Sequence, residues 1–210
     1  MRRRHGMEPD YEDTARAFDA IAPDYDAIYG PKKNAVMTWM RRESLTLLKT
    51  TFPRGSTLLE IGCGTGEEAV ALARAGRRVV ATDISPRMTA LTQAKAREAG
   101  LGNRVVAAAM PAGSIDALRP MDLFDGAYAS FGALNCEPDL LRFGRAMGRL
   151  VRPGGGFVCS VMARFCPFEV AWFLLRGRPR VAVRRLRRGW QYAPVAGRES
   201  PRAKRGELRP

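Results

Sequence analysis

One short stretch, LLEIGCGTGEEA at residues 58–69, combines alternate glycines with carboxylates, which are residue types that can bind a ligand. The glycines are Gly62, Gly64 and Gly66, and the carboxylates are Glu60, Glu67 and Glu68. A glycine loop between a strand and a helix lets a ligand approach the backbone closely. The spacing is GxGxG rather than the GxGxxG of dinucleotide sites, and carboxylates repel a pyrophosphate. The stretch therefore favours a ligand with positive charge near the loop.

A further carboxylate, Asp83, ends the apolar run VVATD and lies seventeen residues after Gly66. At the end of a second parallel strand, a carboxylate can accept hydrogen bonds from both hydroxyls of a ribose. Together with the acids of the loop, it indicates an adenosine joined to an amino-acid end, as in S-adenosylmethionine. The alternatives are a tight strand-to-helix turn without a ligand and an aspartate that caps a helix.

Short apolar runs alternate with longer helix-like segments, which is typical of a parallel sheet with helices on both faces. The predicted strands are 57–61, 78–82, 104–108, 124–129 and 156–162, the last one entered through a turn at 153–156. The predicted helices are 31–51, 66–75, 86–99, 113–118 and 138–151. We therefore expect an α/β fold, Rossmann-like and doubly wound, with the glycine loop and Asp83 at the same edge of the sheet.

Three further segments complete a resemblance to a known family. They are FDAIAPDYD at 18–26, FDGAYASFGALN at 124–135 and LVRPGGGFV at 150–158. With them the chain resembles the class I S-adenosylmethionine-dependent methyltransferases over about residues 18–175. It is more loosely similar to the branch that includes the ubiquinone and menaquinone C-methyltransferases, in which FDxIAxxYD is frequent.

The resemblance implies that nine positions contact the cofactor. They are Tyr25, Glu60, Gly62, Gly64, Gly66, Asp83, Ile84, Met110 and Ser130. The glycines would line the methionine portion, with Glu60 near its amino group. Asp83 would bind the ribose and Ile84 would pack on the adenine. Ser130 would face the transferable methyl group and Tyr25 would close over the cofactor.

Several residues near the expected cofactor have an alternative or less defined role. Met110 follows the third strand, where the family often has an acidic residue near the adenine amine, so that hydrogen bond must come from the backbone or elsewhere. Phe131 would face the methyl group from the substrate side. Asn135, in an otherwise apolar loop, either contacts a substrate or orders the loop. Tyr25 could equally belong to the core of an N-terminal helix.

The net charge of +14 is concentrated in the tail. Residues 176–210 contain eleven Arg and one Lys against Glu199 and Glu207, and so carry ten of the fourteen charges. A basic segment can contact nucleic acid, but this one lacks a pattern of interleaved aromatic residues and any recognition module. A solvated, disordered tail is the simpler interpretation.

Other features of the sequence argue against a metal-binding, a membrane-spanning and a secreted protein. The four cysteines form no CxxC pair and the single histidine is His5, so a metal site is disfavoured. No run of eighteen apolar residues and no secretory signal is present, which predicts a cytoplasmic protein. The run FCPFEVAWFLL and the arginines after it, within 165–190, predict either an amphipathic helix on anionic lipid or a helix packed on the sheet.

Three segments are predicted: a flexible N-terminus at 1–17, the cofactor-binding domain at 18–175 and a disordered arginine-rich tail at 176–210. A complete sheet in the family has seven strands, but nothing after Gly189 predicts an alternating strand pair. We therefore expect five strands, with the sixth and seventh missing. A truncated or frameshifted end over 191–210 is one hypothesis for this difference.

The resemblance implies methyl transfer to a small, lipophilic acceptor. No catalytic base is assigned, and a carbon acid, phenolate, thiol or carboxylate would suit a site without histidine. Two alternatives are a non-catalytic or degenerate S-adenosylmethionine-binding protein and an RNA methyltransferase that uses the basic tail.

Overall fold

A computed structural model of the chain describes residues 9–29, 35–163 and 165–183. The chain divides into two compact units, with the boundary between Val161 and Met162. The first unit contains the sheet, its helices and the glycine loop. The described residues of the second form two short helices.

The sheet of the first unit has five parallel strands within the described residues. They are β1 (Thr57–Ile61), β2 (Arg78–Asp83), β3 (Val105–Ala109), β4 (Phe124–Ala129) and β5 (Val151–Cys159). Their order is β3-β2-β1-β4-β5, so the direction of strand addition reverses between β1 and β4. The predicted Rossmann-like α/β fold is confirmed, and β1 to β4 match their predicted bounds to within one residue.

Helices cover both faces of the sheet. Those of the first unit are α1 (Pro9–Ile21), α2 (Tyr25–Tyr29), α3 (Ala35–Thr51), α4 (Glu67–Arg74), α5 (Pro86–Glu98) and α6 (Leu140–Leu150). Three short 3-10 helices cover Ala22–Asp24, Ala112–Ala117 and Ala133–Cys136. The predicted helix 113–118 is thus a 3-10 helix. The start of the helix predicted over 31–51 falls outside the described residues, and α3 forms the rest.

Adjacent residues of β1 pack into opposite layers of the core. Leu58 is fully buried with Leu48 of α3 and Leu72 of α4. Leu59 is fully buried on the other face, with Ile115 and Phe143. Because side chains alternate along a strand, a shift of one residue would exchange the two layers. The apolar pattern therefore fixes the register of β1.

The pairing of β1 with β2 sets the distance between the glycine loop and Asp83. Ile61, the last residue of β1, lies opposite Thr82. Just beyond it, the N–H of Gly62 donates to the carbonyl of Thr82 over 2.8 Å. The loop therefore leaves the sheet beside Asp83, which is the last residue of β2.

The fifth strand differs from its prediction at both ends. β5 starts at Val151 rather than at residue 156, and it ends at Cys159 rather than at residue 162. Val151 pairs with the first residue of β4 and Gly156 with the third, so residues 152–155 bulge out of the ladder. Gly154 has a φ of +78°. The predicted turn is therefore a bulge inside the strand, which glycine allows by adopting a left-handed backbone.

The second unit contains α7 (Pro167–Leu175) and α8 (Pro179–Ala182). The rings of Phe168 and Trp172 stack with their centroids 6.2 Å apart, and the guanidinium of Arg176 lies 4.1 Å from the Trp172 ring centroid. No helix within residues 9–29, 35–163 and 165–183 is long and apolar enough to cross a bilayer.

Both predicted end segments overlap helices. α1 begins at Pro9, inside the predicted flexible segment 1–17, and α8 lies inside the predicted tail 176–210. The hypothesis about 191–210 and the prediction for most of the arginine-rich tail fall outside the described residues. The predicted domain bounds of 18–175 stay a prediction.

Candidate functional site

A pocket opens at the reversal of the strand order, beyond the carboxyl ends of β1, β2, β3 and β4. Its empty volume, with the open solvent at the mouth included, is about 790 Å³. Seven of the nine positions expected for the cofactor line it: Tyr25, Gly62, Gly64, Asp83, Ile84, Met110 and Ser130. Phe131, expected on the substrate side, lines it too. Glu60, Gly66 and Asn135 lie elsewhere.

The glycine loop forms one wall of the pocket. Gly62 and Gly64 have φ values of +73° and +53°, in the left-handed region. A Cβ on Gly62 would lie 2.3 Å from the Cβ of Ala133, so there is no room for a side chain. Gly66 is the N-cap of α4, and a Cβ there would lie 2.7 Å from the Cγ2 of Thr92 in α5. In this structure Gly66 permits close packing of the two helices.

Asp83 joins the glycine loop to the start of α5. Its Oδ2 accepts the N–H of Gly64 and its Oδ1 accepts the N–H of Ser85, each over 2.9 Å. Burial raises the pKa of this carboxyl, the backbone N–H groups of Ser85, Gly64 and Ile84 oppose the rise, and the Asp19 carboxylate adds to it. A carboxylate has about four acceptor positions. Asp83 therefore lines the pocket with acceptor capacity that a ribose hydroxyl could use.

The sequence predicts that Glu67 and Glu68 lie near the ligand, together with Glu60. This prediction is wrong for Glu67 and Glu68, because neither residue lines the pocket. Glu68 accepts a hydrogen bond from the Nε of Arg41 in α3 over 2.8 Å. Glu67 pairs with Lys95 of α5, which also contacts Asp26. Cations of neighbouring helices therefore balance these acids. Among the described residues, no three His, Cys, Asp or Glu side chains form a cluster suited to a metal ion.

Glu60 is buried behind the pocket rather than in it. Glu60 is 1% exposed. Burial, and then the charge of Glu68, raise the pKa of Glu60 well above its ordinary value, although the hydroxyl of the buried Tyr128 lies close enough to the carboxyl to oppose the rise. The contact predicted between Glu60 and the cofactor's amino group stays a prediction.

We expect Glu60→Gln to remove a pH-dependent penalty on folding. Burial raises the folded-state pKa of this carboxyl above the ordinary 4.5. The folded state then binds more protons than the unfolded state, so the free energy of unfolding falls as the pH rises from 4.5 through the folded pKa. Urea unfolding should show wild type losing stability relative to the variant between pH 5 and pH 8. A difference between the two proteins that does not change with pH would contradict this.

The segment after β4 is held in a strained conformation at the pocket. Phe131 has a φ of +54°, which costs a residue other than glycine about 1–3 kcal/mol. Its N–H donates to the Oγ of Ser160 over 2.6 Å, and the guanidinium of Arg41 lies 5.3 Å from its ring centroid. The hydroxyl of Ser130 lies 3.4 Å from that of Ser44. Contacts with helix α3 and with the residue that follows β5 thus hold Phe131 and Ser130 at the pocket.

Sequence reasoning missed part of the lining. Tyr11, Thr14 and Phe18 of α1 line the pocket, as does Glu137 after the 3-10 helix at Ala133–Cys136. The α1 residues are spaced by three and four, so they share one helix face, and this periodicity was a usable signal. Asn135, by contrast, is exposed on the 3-10 helix.

Two polar contacts attach α1 to the rest of the unit. The Tyr11 hydroxyl donates to the Oε1 of Glu137 over 2.7 Å. At the other end, the carboxylate of Asp19 accepts hydrogen bonds from the hydroxyl of Ser85 and from the N–H of Arg87, the latter over 3.1 Å. The α1 side chains are thereby held at the pocket, beside the residues that follow β2 and β4.

A family model described as a methyltransferase domain matches residues 58–155. A demethylmenaquinone methyltransferase from Mycobacterium tuberculosis is 30% identical over 183 residues, which cover 85% of this chain and 73% of the relative. One from Listeria welshimeri is 26% identical over 151 residues, or 70% of this chain. The chain spans 61% of the length of that second relative.

A solved structure shows the same fold with a ligand. It is the crystal structure of a SAM-dependent methyltransferase from Geobacter sulfurreducens in complex with S-adenosyl-L-homocysteine, with 25% sequence identity and a TM-score of 0.50. The match covers 63% of this chain and 54% of that one.

Proposed function

Because this chain belongs to the class I S-adenosylmethionine-dependent methyltransferases, we propose that its pocket binds S-adenosylmethionine and that the chain transfers the methyl group to a small, apolar acceptor. The observation that carries the proposal is Asp83. It lies at the end of β2, lines the pocket, accepts the N–H of Gly64 and keeps acceptor capacity for a ribose. Beside it, Gly62 and Gly64 of the loop line the pocket and have no side chain that would enter it.

The remaining lining residues fit the other parts of the cofactor. Ile84 and Met110 follow β2 and β3, and their apolar side chains suit the faces of an adenine ring. Ser130 and Phe131 follow β4, beyond the glycine loop, on the side where an acceptor would meet the methyl group. Tyr25 lies 3.8 Å from the Cβ position of Gly64 and would cover the methionine portion.

When bound, S-adenosylmethionine supplies a methyl group on a sulfonium that is already a good leaving group. The protein then has to hold the acceptor in line and exclude water. The pocket has an apolar wall formed by Phe18, Phe131 and Ile61, which suits both the holding of the acceptor and the exclusion of water. Among the described residues that line the pocket there is no histidine and no lysine, so an acceptor that ionises easily suits the site best.

For the acceptor, we propose an apolar compound with an acidic carbon or a phenolate, and demethylmenaquinone as the first candidate to test. Two relatives carry the name demethylmenaquinone methyltransferase. The apolar wall around Phe18 and Phe131 supports an acceptor of this kind.

The test is to incubate the full chain with methyl-labelled S-adenosylmethionine and demethylmenaquinone in detergent, and to measure label in the organic extract. The proposal predicts label that depends on both protein and acceptor. Cofactor binding without transfer to this acceptor or to any fraction of a cell extract would favour a non-catalytic protein. Label in the RNA or protein fraction would overturn the acceptor class, and no cofactor binding would overturn the whole proposal.

We further propose a cytoplasmic location in which residues 165–190 contact the membrane surface. Phe168 and Leu175 of α7 are 76% and 86% exposed, and arginines follow them. Such segments bind the anionic cytoplasmic leaflet. Sedimentation with anionic vesicles should bring down the protein, and Phe168→Ser with Leu175→Ser should weaken it. Equal sedimentation with zwitterionic vesicles would contradict a role for the arginines.

A further inference from the structure

At the adenine end of the proposed site, the side chain that follows β3 is a poor partner for the exocyclic amine of the base. Met110 lines the pocket after β3, but a thioether is a weak acceptor. A base amine needs an acceptor with a free lone pair, and the Met110 side chain is a poor one.

Glu137 brings a carboxylate to this end of the pocket. It lines the pocket although its side chain is only 6% exposed. Its Oε2 accepts the N–H of Gly113 over 2.7 Å, and Gly113 follows Ala112, which also lines the pocket. The carboxylate is therefore held beside the segment that starts at Met110.

The hydrogen bonds of Glu137 leave one acceptor position open. Its Oε1 accepts the Tyr11 hydroxyl over 2.7 Å and the N–H of Asp139 over 3.0 Å. With the bond from Gly113, three of about four acceptor positions on the carboxylate are used by described residues. The open position is on Oε2, the oxygen that faces the segment after β3.

Gly113 keeps space for this arrangement. A Cβ at this position would lie 2.5 Å from the Tyr11 hydroxyl and 2.9 Å from the Oε1 of Glu137. Its φ is not in the left-handed region, so the backbone does not require glycine here. The small residue is needed because the hydroxyl and the carboxylate occupy the space of a side chain.

We propose that Glu137 accepts a hydrogen bond from the exocyclic amine of the cofactor's adenine and so selects adenine over a base with an oxygen there. Tyr11 and Gly113 position the carboxylate. The inference rests on the proposed binding of S-adenosylmethionine. A purely structural Glu137 would tie α1 and the N-terminus of α6 to the segment after β3, without regard to the base.

The test compares two ligands on two proteins by calorimetry. The ligands are S-adenosylhomocysteine and S-inosylhomocysteine, in which an oxygen replaces the amine. Wild type should prefer the adenosine compound by about tenfold or more, as expected for a hydrogen bond to a charged acceptor. Glu137→Gln should bind S-adenosylhomocysteine about 10- to 100-fold more weakly. It should bind S-inosylhomocysteine as well as wild type does, or better, because its amide can donate to the oxygen.

The outcomes separate the inference from its premise. If wild type binds neither ligand, the proposed function fails and the inference with it. If wild type binds both equally, or if Glu137→Gln weakens both by the same factor, cofactor binding stands and base selection is overturned. Tyr11→Phe keeps the carboxylate but removes one of the hydrogen bonds that position it, so the preference should become smaller without disappearing. Equal binding of the two ligands by wild type overturns the inference even if Glu137→Gln does not fold.

Discussion

Asp83→Ala is expected to weaken binding of S-adenosylhomocysteine by about 10- to 100-fold, because hydrogen bonds to a charged group contribute about 1.5–3 kcal/mol. The substitution removes the acceptor for the ribose hydroxyls. It also leaves the N–H groups of Gly64 and Ser85 without their shared partner, so the loop loses one of its attachments to the end of β2 and keeps those of Gly62 and Cys63 to the carbonyl of Thr82. Both effects weaken the binding of S-adenosylhomocysteine.

Calorimetry with S-adenosylhomocysteine measures this effect, and thermal unfolding without ligand shows whether the variant is folded. Asp122→Ala is the matched control, since Asp122 is exposed and does not line the pocket. It should bind the ligand as wild type does. Asp83→Ala binding as tightly as Asp122→Ala would remove the main support for the proposed cofactor site.

The second large effect is expected from Gly62→Ala. The new Cβ would lie 2.3 Å from the Cβ of Ala133, on a backbone with a φ of +73°. A left-handed backbone costs a residue with a Cβ about 1–2 kcal/mol, and overpacking costs about 1–3 kcal/mol. We expect a loss of about 2–5 kcal/mol in the free energy of unfolding. Cofactor affinity should fall too, because the loop must move.

Two controls separate the two costs in urea unfolding. Gly100 has a φ of +71° and nothing within 4 Å of its Cβ position, so Gly100→Ala measures the backbone cost alone. Adding Ala133→Gly to Gly62→Ala removes the crowding but keeps the strained backbone. The double variant should therefore approach Gly100→Ala. If Gly62→Ala alone already equals Gly100→Ala, the close contact with Ala133 has no energetic consequence.

The sheet was predictable because its signals are local. Buried parallel strands are short apolar runs, and TLLEI, VVATD and FDGAYA are such runs between helix-forming segments. Asp83 could be assigned to the pocket for the same reason, since it ends one of them. The fifth strand was harder, because PGGG is as typical of a turn as of a bulge. Only pairing with β4 distinguishes the two.

The acids of the glycine loop show where local reasoning fails. Their charges suggested a cationic ligand, but Arg41 is 27 positions from Glu68 and Lys95 is 28 from Glu67. No local pattern connects such pairs. The proposed ligand thus keeps its support from Asp83 and the glycines, whereas two of the charges that first suggested it bind neighbouring helices. Glu137 was missed because its partners Tyr11 and Gly113 are likewise distant in sequence.

The burial of β1 on both faces of the sheet has a further consequence for the binding site. The spacing between Gly64 and Asp83 follows from the register of β1 against β2, and that register is set by Leu58 and Leu59 on opposite faces. Neither leucine lines the pocket. The dimensions of the site therefore depend on apolar side chains that a ligand does not contact. Substitutions there would change affinity through the scaffold, and an inspection of contact residues alone would not reveal the cause.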